Sequence, residues 1–237
     1  MIELTEVPDS DGKKKILVQK NKNRKAGSYN TAKHRSEVLK VARESITLLK
    51  NEDRKLPLDP AIDKVLVIGQ NAVISQAMGG GSAEIKALYE ITPLLGISKF
   101  LGGNCEVRYA RGYDIPAKKE SDHNWQEDSL DASKAAAETA KETEDSARLR
   151  KEAVELAKEY KHVIYVGGLN HDQDLEGQDR ADLTLPYGQD RLITELLEVR
   201  SDMTIVMLAG SPVSMKPWAD RAKAIVWMSY SGMEGGT

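Results

Sequence analysis

Cysteine is nearly absent from this 237-residue sequence, in which Cys105 stands alone. A single cysteine cannot form a disulfide framework within the chain, and it cannot build a metal site of several thiolates. Histidine is also scarce. The four histidines, at positions 34, 123, 162 and 171, show none of the spacings typical of metal ligands. The sequence therefore predicts no metal site.

Long apolar runs are missing as well. None approaches the roughly 20 residues that a membrane-spanning helix needs, and Met1–Glu6 has neither the basic start nor the apolar core of a signal peptide. Lysine and arginine (34) nearly balance aspartate and glutamate (37), which gives a net charge of −3. This composition favours neither a nucleic acid nor a membrane as a partner, and it leaves the cellular location open.

Helical and strand patterns alternate along most of the chain. Strands are predicted at Ile46–Leu49, Lys64–Gly69, Glu106–Tyr109, His162–Val166, Thr204–Leu208 and Ala224–Ser229. Helices are predicted from Thr31 with Val38, Val41, Ala42 and Ser45 on one face, from Thr92 to Phe100, within Leu130–Tyr160, and from Gly188 to Arg200. No hairpin signal such as Asn-Gly separates paired runs. The alternation predicts a mostly parallel sheet with helices on both faces, an α/β sandwich with flavodoxin-like layers.

Residues 1–30 and 31–237 differ in character. The first segment carries a basic run from Lys13 to Lys25 around the apolar Ile16–Val18. We expect a solvated linker with a short edge strand there, rather than a nucleic-acid-binding arm. The remaining residues are predicted to form one α/β domain, because a chain of this length can bury one sizeable core, and two small domains are the alternative.

A glycine-rich stretch, Gly79-Gly80-Gly81-Ser82, follows the strand at Lys64–Gly69. A strand that leads into glycines can cradle a phosphate. The spacing is neither Gly-x-Gly-x-x-Gly nor that of a Walker loop with its lysine, so we expect no nucleotide and no other cofactor. The glycines instead allow the backbone to approach a ligand or a neighbouring domain closely.

The most informative stretch is Leu169–Pro186, which follows a β-branched strand that ends in two glycines. It contains a group of four carboxylates within eight residues: Asp172, Asp174, Glu176 and Asp179. Loops at the carboxyl ends of strands carry the chemistry of open α/β sheets. Crowding raises the pKa of at least one carboxyl, as a general acid near neutral pH requires. A solvated acidic loop or a calcium site is the alternative, although the EF-hand spacing is absent.

The residues Gly168-Leu-Asn-His-Asp-Gln-Asp-Leu-Glu-Gly-Gln-Asp-Arg180 resemble the Glu-Gly-x-Asp-Arg signature of family 3 glycoside hydrolases, the β-glucosidase and β-xylosidase group. Other pieces match in the family's order from about Thr31 to Thr237: Glu44–Asn51, Leu56–Leu58, Val65–Gly69, Gly79–Ala83, Ala209–Val213 with Pro217-Trp218, and Trp227 with Gly232–Gly236. Each piece is short, but the ordered set is specific. The resemblance implies the second domain of such an enzyme, an α/β sandwich.

The resemblance also implies a retaining β-glycosidase that hydrolyses β-linked glucosides or related oligosaccharides. Glu176 would be the acid/base, with Asp174 as the runner-up. Gly177 would permit a tight turn that Asp179 and Arg180 anchor. The nucleophile, an aspartate, would belong to an N-terminal barrel domain of the same protein, which is thus the expected partner. A non-catalytic carbohydrate-binding or docking module of the same fold is the alternative.

Sugar binding by this chain alone is not expected to be complete. In the family, the loop that matches Gly80, Gly81 and Ser82 borders the subsite for the leaving sugar, and Trp218 is a candidate to line the cleft. Aromatic residues are only 5% of the chain, fewer than a self-sufficient sugar cleft uses. Because the barrel and the family's segment beyond Gly-Gly are missing, we expect a fragment that is truncated at its C-terminal end and inactive alone.

Overall fold

The computed structural model describes residues 4–8, 11–18, 27–77, 87–116, 142–174 and 180–237. The chain divides into two compact units, Met1–Arg35 and Ser36–Thr237. In the first unit, β1 (Leu4–Pro8) and β2 (Lys14–Val18) pair as an antiparallel hairpin. The expectation of one short strand and no hairpin is therefore wrong here. The overlooked signal is Asp11-Gly12 in the connection, where Gly12 takes a φ of 71° that favours glycine.

Helix α1 (Ala32–Glu44) begins where the sequence predicts. The hydroxyl of Thr31 accepts a hydrogen bond from the His34 N–H at 3.2 Å, so Thr31 caps the start of this helix. Ala42 is buried, but Val41 is 67% exposed, so the predicted inward position of Val41 is wrong. Neighbouring helix positions lie about 100° apart, so burial of Ala42 leaves Val41 facing away.

Six of the described strands form one sheet in the order β3-β8-β7-β6-β4-β5. Their bounds are Thr47–Asn51 (β3), Lys64–Ile68 (β4), Glu106–Ala110 (β5), Val163–Gly168 (β6), Thr204–Leu208 (β7) and Ala224–Trp227 (β8). Strand β3 is antiparallel to β8, and the other neighbours are parallel. The predicted mostly parallel sheet is confirmed.

Helices cover both faces of this sheet. They are α2 (Pro93–Leu101), α3 (Glu144–Ala157) and α4 (Gln189–Val199). Helices α3 and α4 pack on one face of the sheet through buried side chains: Ala153, Ala157, Leu192, Ile193, Leu196 and Leu197. Helix α2 packs on the opposite face through Leu94 and Ile97. Because strand side chains alternate between faces, the predicted two-sided sandwich is confirmed. None of the described helices is long and apolar enough to cross a membrane.

An ion-pair cluster joins α3 to α4. Arg150 on α3 is only 3% exposed, and its guanidinium contacts the carboxylates of Glu142 and Glu195. The Glu195 contact joins Nε to Oε2 at 3.1 Å. A buried charge needs such partners, since leaving it unpaired is costly. The cluster therefore fixes these two helices against each other on the face of the sheet.

His162 lies directly before β6, and its carbonyl accepts the Leu66 N–H at 2.9 Å. Burial lowers the pKa of its imidazole, and the ammonium groups of Lys55 and Lys161 lower it further. At a pH just below about 6.5, the unfolded chain binds a proton at this residue while the folded chain does not. The contribution of His162 to the free energy of unfolding is therefore fully present above that pH, and it is lost as the pH falls through the folded-state pKa.

We expect His162→Gln to weaken the dependence of stability on pH. Glutamine cannot take up the proton, so the free energy of unfolding should fall less between about pH 7.5 and about pH 5.5 than it does in the wild type. Urea denaturation at both pH values measures this difference. His34→Gln, which replaces an exposed histidine, is the matched control. Equal losses of stability in the wild type and in His162→Gln would contradict the expectation.

Candidate active site at the carboxyl edge of the sheet

The signature stretch leaves the sheet at the carboxyl end of β6, next to β7. Gly168 has a φ of 129°, and a Cβ at this position would lie 1.9 Å from the carbonyl oxygen of Leu208. The same oxygen accepts the Leu169 N–H at 2.8 Å. Glycine thus lets the two strands stay paired up to the point where the loop begins.

A buried glutamine fixes this exit point. Gln189, the first residue of α4, is completely buried. Its side-chain carbonyl accepts the Gly168 N–H and the Tyr165 hydroxyl, and its amide donates to the Gly168 carbonyl, each at 2.8 Å. Both backbone groups of Gly168 are therefore held by one side chain. The sequence offers no residue-level signal for this role, because Gln189 reads as an ordinary helix-start residue.

The next residue is held from the end of β4. The Leu169 carbonyl accepts the side-chain amide of Asn71 at 2.8 Å. The carbonyl of that amide in turn accepts the Tyr113 hydroxyl at 2.8 Å. All three residues are buried. Buried polar groups that satisfy one another in this way rigidify a site, so the loop starts from a fixed position.

Asn170 then folds the chain into a tight turn. Its side-chain oxygen accepts the Asp172 N–H at 2.8 Å, and its carbonyl accepts the N–H groups of Gln173 and Asp174 at 3.0 Å. Its amide donates to the Tyr187 hydroxyl at 3.2 Å. Residues up to 174 are therefore a hydrogen-bonded turn rather than an open solvated loop.

The carboxylate of Asp174 connects this turn to the ends of two more strands. It accepts the Gly210 N–H at 2.8 Å, the Tyr230 hydroxyl at 2.6 Å and the Ser211 hydroxyl. Gly210 and Ser211 follow β7, and Tyr230 follows β8. Burial raises the pKa of Tyr230, and its hydrogen bond to Asp174 raises that pKa further. The phenol therefore keeps its proton and is the hydrogen-bond donor to Asp174.

Arg180, on the C-terminal side of the loop, contacts the same segment after β7 as Asp174 does. Its guanidinium donates to the carbonyl of Pro212, directly after Gly210 and Ser211. The segment 175–179 is thus flanked by two residues, Asp174 and Arg180, that both bind the short segment Gly210–Pro212.

Most of the other predicted site residues cannot be placed. Glu176, Gly177 and Asp179 lie outside the described residues, as do Gly80, Gly81 and Ser82 of the glycine-rich loop. Their roles stay predictions. Within the described ranges, no group of three or more His, Cys, Asp or Glu side chains could hold a metal ion.

Trp218 does not line a cleft. It is 1% exposed, and its indole N–H donates to the carboxylate of Asp190 at 2.7 Å. The other oxygen of that carboxylate accepts the Leu185 N–H at 3.1 Å, and burial raises the pKa of Asp190. Because no face of the indole is free to stack on a sugar, Trp218 is a core residue and the expectation of a cleft position is wrong.

Comparison with known proteins identifies the family. Residues 46–237 match the model of the glycosyl hydrolase family 3 C-terminal domain. The β-glucosidase BoGH3A of Bacteroides ovatus is 35% identical over 226 residues, which are 91% of this chain and 28% of the relative. The periplasmic β-glucosidase of Salmonella typhimurium is 31% identical over 205 residues, 86% of this chain and 26% of the relative. The chain thus spans about a quarter of the length of these relatives.

Solved structures agree with this match. A β-glucosidase of Bifidobacterium adolescentis superposes with a TM-score of 0.68 at 26% identity, over 88% of this chain and 26% of that one. The β-glucosidase DesR of Streptomyces venezuelae, solved with D-glucose, gives 0.71 at 19% identity over 89% and 36% of the two chains, and it supports the fold alone. The resemblance carried by the Glu-Gly-x-Asp-Arg signature is confirmed: the chain belongs to glycosyl hydrolase family 3 and contains the C-terminal domain of that family.

Proposed function

We propose that this chain is the second domain of a retaining β-glycosidase that hydrolyses β-linked glucosides or related oligosaccharides, with Glu176 as its general acid/base. The observation that carries the proposal is the anchoring of the signature stretch on both sides of Glu176, by Asp174 and Arg180. The relatives named as β-glucosidases support the class of substrate.

Retention of configuration requires two carboxyl groups about 5–5.5 Å apart. A nucleophilic carboxylate, which we assign to a barrel domain of the same protein, attacks the anomeric carbon. The bond to the leaving oxygen breaks as Glu176 gives that oxygen its proton. Glu176 then takes a proton from water, the water oxygen attacks the anomeric carbon, and the bond to the nucleophile breaks. One carboxyl thus acts first as acid and then as base.

The described residues supply the positioning that this chemistry needs. A proton donor must come within hydrogen-bond reach of the leaving oxygen, about 2.6–3.2 Å, and a misplacement of 1 Å can cost about 10²-fold in rate. Gln189 and Asn71 fix where the loop begins, and Asp174 and Arg180 fix its flanks. These fixed flanks support the proposal that Glu176, which stands between them, is presented to a neighbouring domain.

We expect the purified chain alone to give no hydrolysis of aryl β-glucosides above the buffer background. One acid/base cannot form and break a glycosyl-enzyme without the second carboxylate. The enzyme that carries this chain together with its barrel domain, called the intact enzyme below, should hydrolyse the same substrates. Nuclear magnetic resonance should show the β-anomer of glucose as the first product.

Two results would contradict the proposal. Turnover by the isolated chain that survives Glu176→Ala would show that the reaction uses other residues. An intact enzyme that binds β-glucosides without hydrolysing them would favour the non-catalytic carbohydrate-binding module. Isothermal titration with the unhydrolysed substrate separates that second outcome from a protein that does not recognise sugars.

A further inference from the structure

We propose that Asp174 is a positioning residue for the acid/base and not an acid itself. Together with Ser211 and Tyr230, it seats the acid/base loop on the segment Gly210–Pro212. This inference rests on the proposed function, since it assumes that Glu176 carries the proton. It assigns a shared role to three residues that lie on separate loops.

The contacts of Asp174 are those of an anchored carboxylate. Oδ2 accepts two hydrogen bonds, from the Gly210 N–H at 2.8 Å and the Tyr230 hydroxyl at 2.6 Å, and Oδ1 accepts the Ser211 hydroxyl. The packing around them is close. A Cβ on Gly210 would lie 2.9 Å from the Tyr230 ring and 3.3 Å from the Asp174 carboxylate.

These contacts oppose the role of a proton donor. A general acid must carry a proton and direct it at the leaving oxygen. In each contact here Asp174 is the acceptor, and Tyr230 keeps its own proton because burial raises the pKa of the phenol. The carboxylate of Asp174 is therefore directed at three donors of this chain, Gly210, Ser211 and Tyr230.

The place of Asp174 in the sequence explains what its anchoring achieves. Asp174 stands two residues before Glu176, and Arg180 stands four residues after Glu176. The residues on either side of Glu176, Asp174 and Arg180, both bind Gly210–Pro212, so the two flanks of the acid/base are held at the same short segment. Releasing one end increases the number of conformations that the loop can adopt. Glu176 would then spend less time within reach of the leaving oxygen.

The test is a set of substitutions in the intact enzyme: Asp174→Ala, Asp174→Asn, Tyr230→Phe and the double variant Asp174→Ala/Tyr230→Phe. The probes are aryl β-glucosides whose leaving groups span a range of pKa. For poor leaving groups, kcat of Asp174→Ala should fall about 10- to 100-fold, because a misplaced acid helps less. Good leaving groups need little acid help, so they should lose less. A merely destabilised enzyme would lose the same factor with every leaving group.

Three further readouts identify positioning. The alkaline limb of the pH profile of kcat/KM should persist in Asp174→Ala, since Glu176 still titrates, and should vanish in Glu176→Ala. Asp174→Asn keeps an acceptor oxygen and should retain more activity than Asp174→Ala. The double variant should be no slower than Asp174→Ala, because both changes break the same contact.

The outcomes separate the two proposals. If Asp174→Ala loses the alkaline limb and azide restores its turnover, Asp174 is the acid and the inference is overturned. An unchanged dependence on the leaving group in Asp174→Ala would also overturn it. If Glu176→Ala has no effect on any substrate, Glu176 is not the acid/base, and the proposed function itself is contradicted. Tyr230→Phe, which deletes one hydroxyl, serves as the mild variant if Asp174→Ala does not fold.

Discussion

Replacing Glu176 with alanine should slow the hydrolysis of unactivated β-glucosides by the intact enzyme roughly 10²- to 10⁴-fold, the range that general acid–base catalysis supplies. Both protonation of the leaving oxygen and activation of water are lost, so poor leaving groups should suffer most. Activated aryl β-glucosides should still form the glycosyl-enzyme quickly, after which its hydrolysis limits the rate. Steady-state kinetics with a burst measurement reveals this change of limiting step.

Azide provides the positive control for the same variant. A small anion needs no general base, so it should restore turnover in Glu176→Ala and give the β-glucosyl azide as product. Asp182→Asn is the matched control variant, because Asp182 is an exposed carboxylate in the same stretch whose hydrogen bonds go to Thr184. It should keep nearly full activity. If azide rescues Asp174→Ala but not Glu176→Ala, the acid/base is Asp174. If azide rescues neither variant, the acid/base does not lie in this loop.

The layers of the fold could be predicted because parallel strands that are buried on both faces leave a strong sequence pattern. The run Lys64–Ile68 reads as a buried strand by itself, and Val65–Ile68 are completely buried in the structure. Capping signals were equally local. The helix predicted from Thr92 begins there: the Thr92 hydroxyl accepts the Leu95 N–H, and Pro93 is the first residue of α2.

The contacts that seat the candidate site could not be predicted in this way, because they join distant parts of the chain. Asp174 meets Gly210 and Tyr230, 36 and 56 residues later. The burial of Trp218 could not be predicted, because its partner Asp190 stands 28 residues earlier. Nothing next to Trp218 in the sequence shows that its indole N–H finds a partner in the core. The signature motif identifies the loop after β6 as the candidate site. The order of the strands in the sheet determines that the loops after β7 and β8 contact it.

The second large effect concerns Gly168, where we expect alanine to destabilise the chain strongly. A φ of 129° is essentially restricted to glycine, and forcing another residue into such a conformation costs roughly 1–3 kcal/mol. The added Cβ would also lie 1.9 Å from the Leu208 carbonyl oxygen, and overpacking of this kind costs about 1–3 kcal/mol more. That oxygen cannot move away freely, because it accepts the Leu169 N–H.

Gly103→Ala is the matched control for this change. A Cβ on Gly103 would meet nothing within 4 Å, and its φ lies outside the region that disfavours side chains. Its free energy of unfolding should stay within about 0.5 kcal/mol of the wild type. Urea denaturation of the three proteins measures the difference, and equal stabilities for Gly168→Ala and Gly103→Ala would show that the β6–β7 contact yields easily. If Gly168→Ala folds but the intact enzyme loses activity, the exit from β6 is part of what places the acid/base, since Gln189 holds both backbone groups of Gly168.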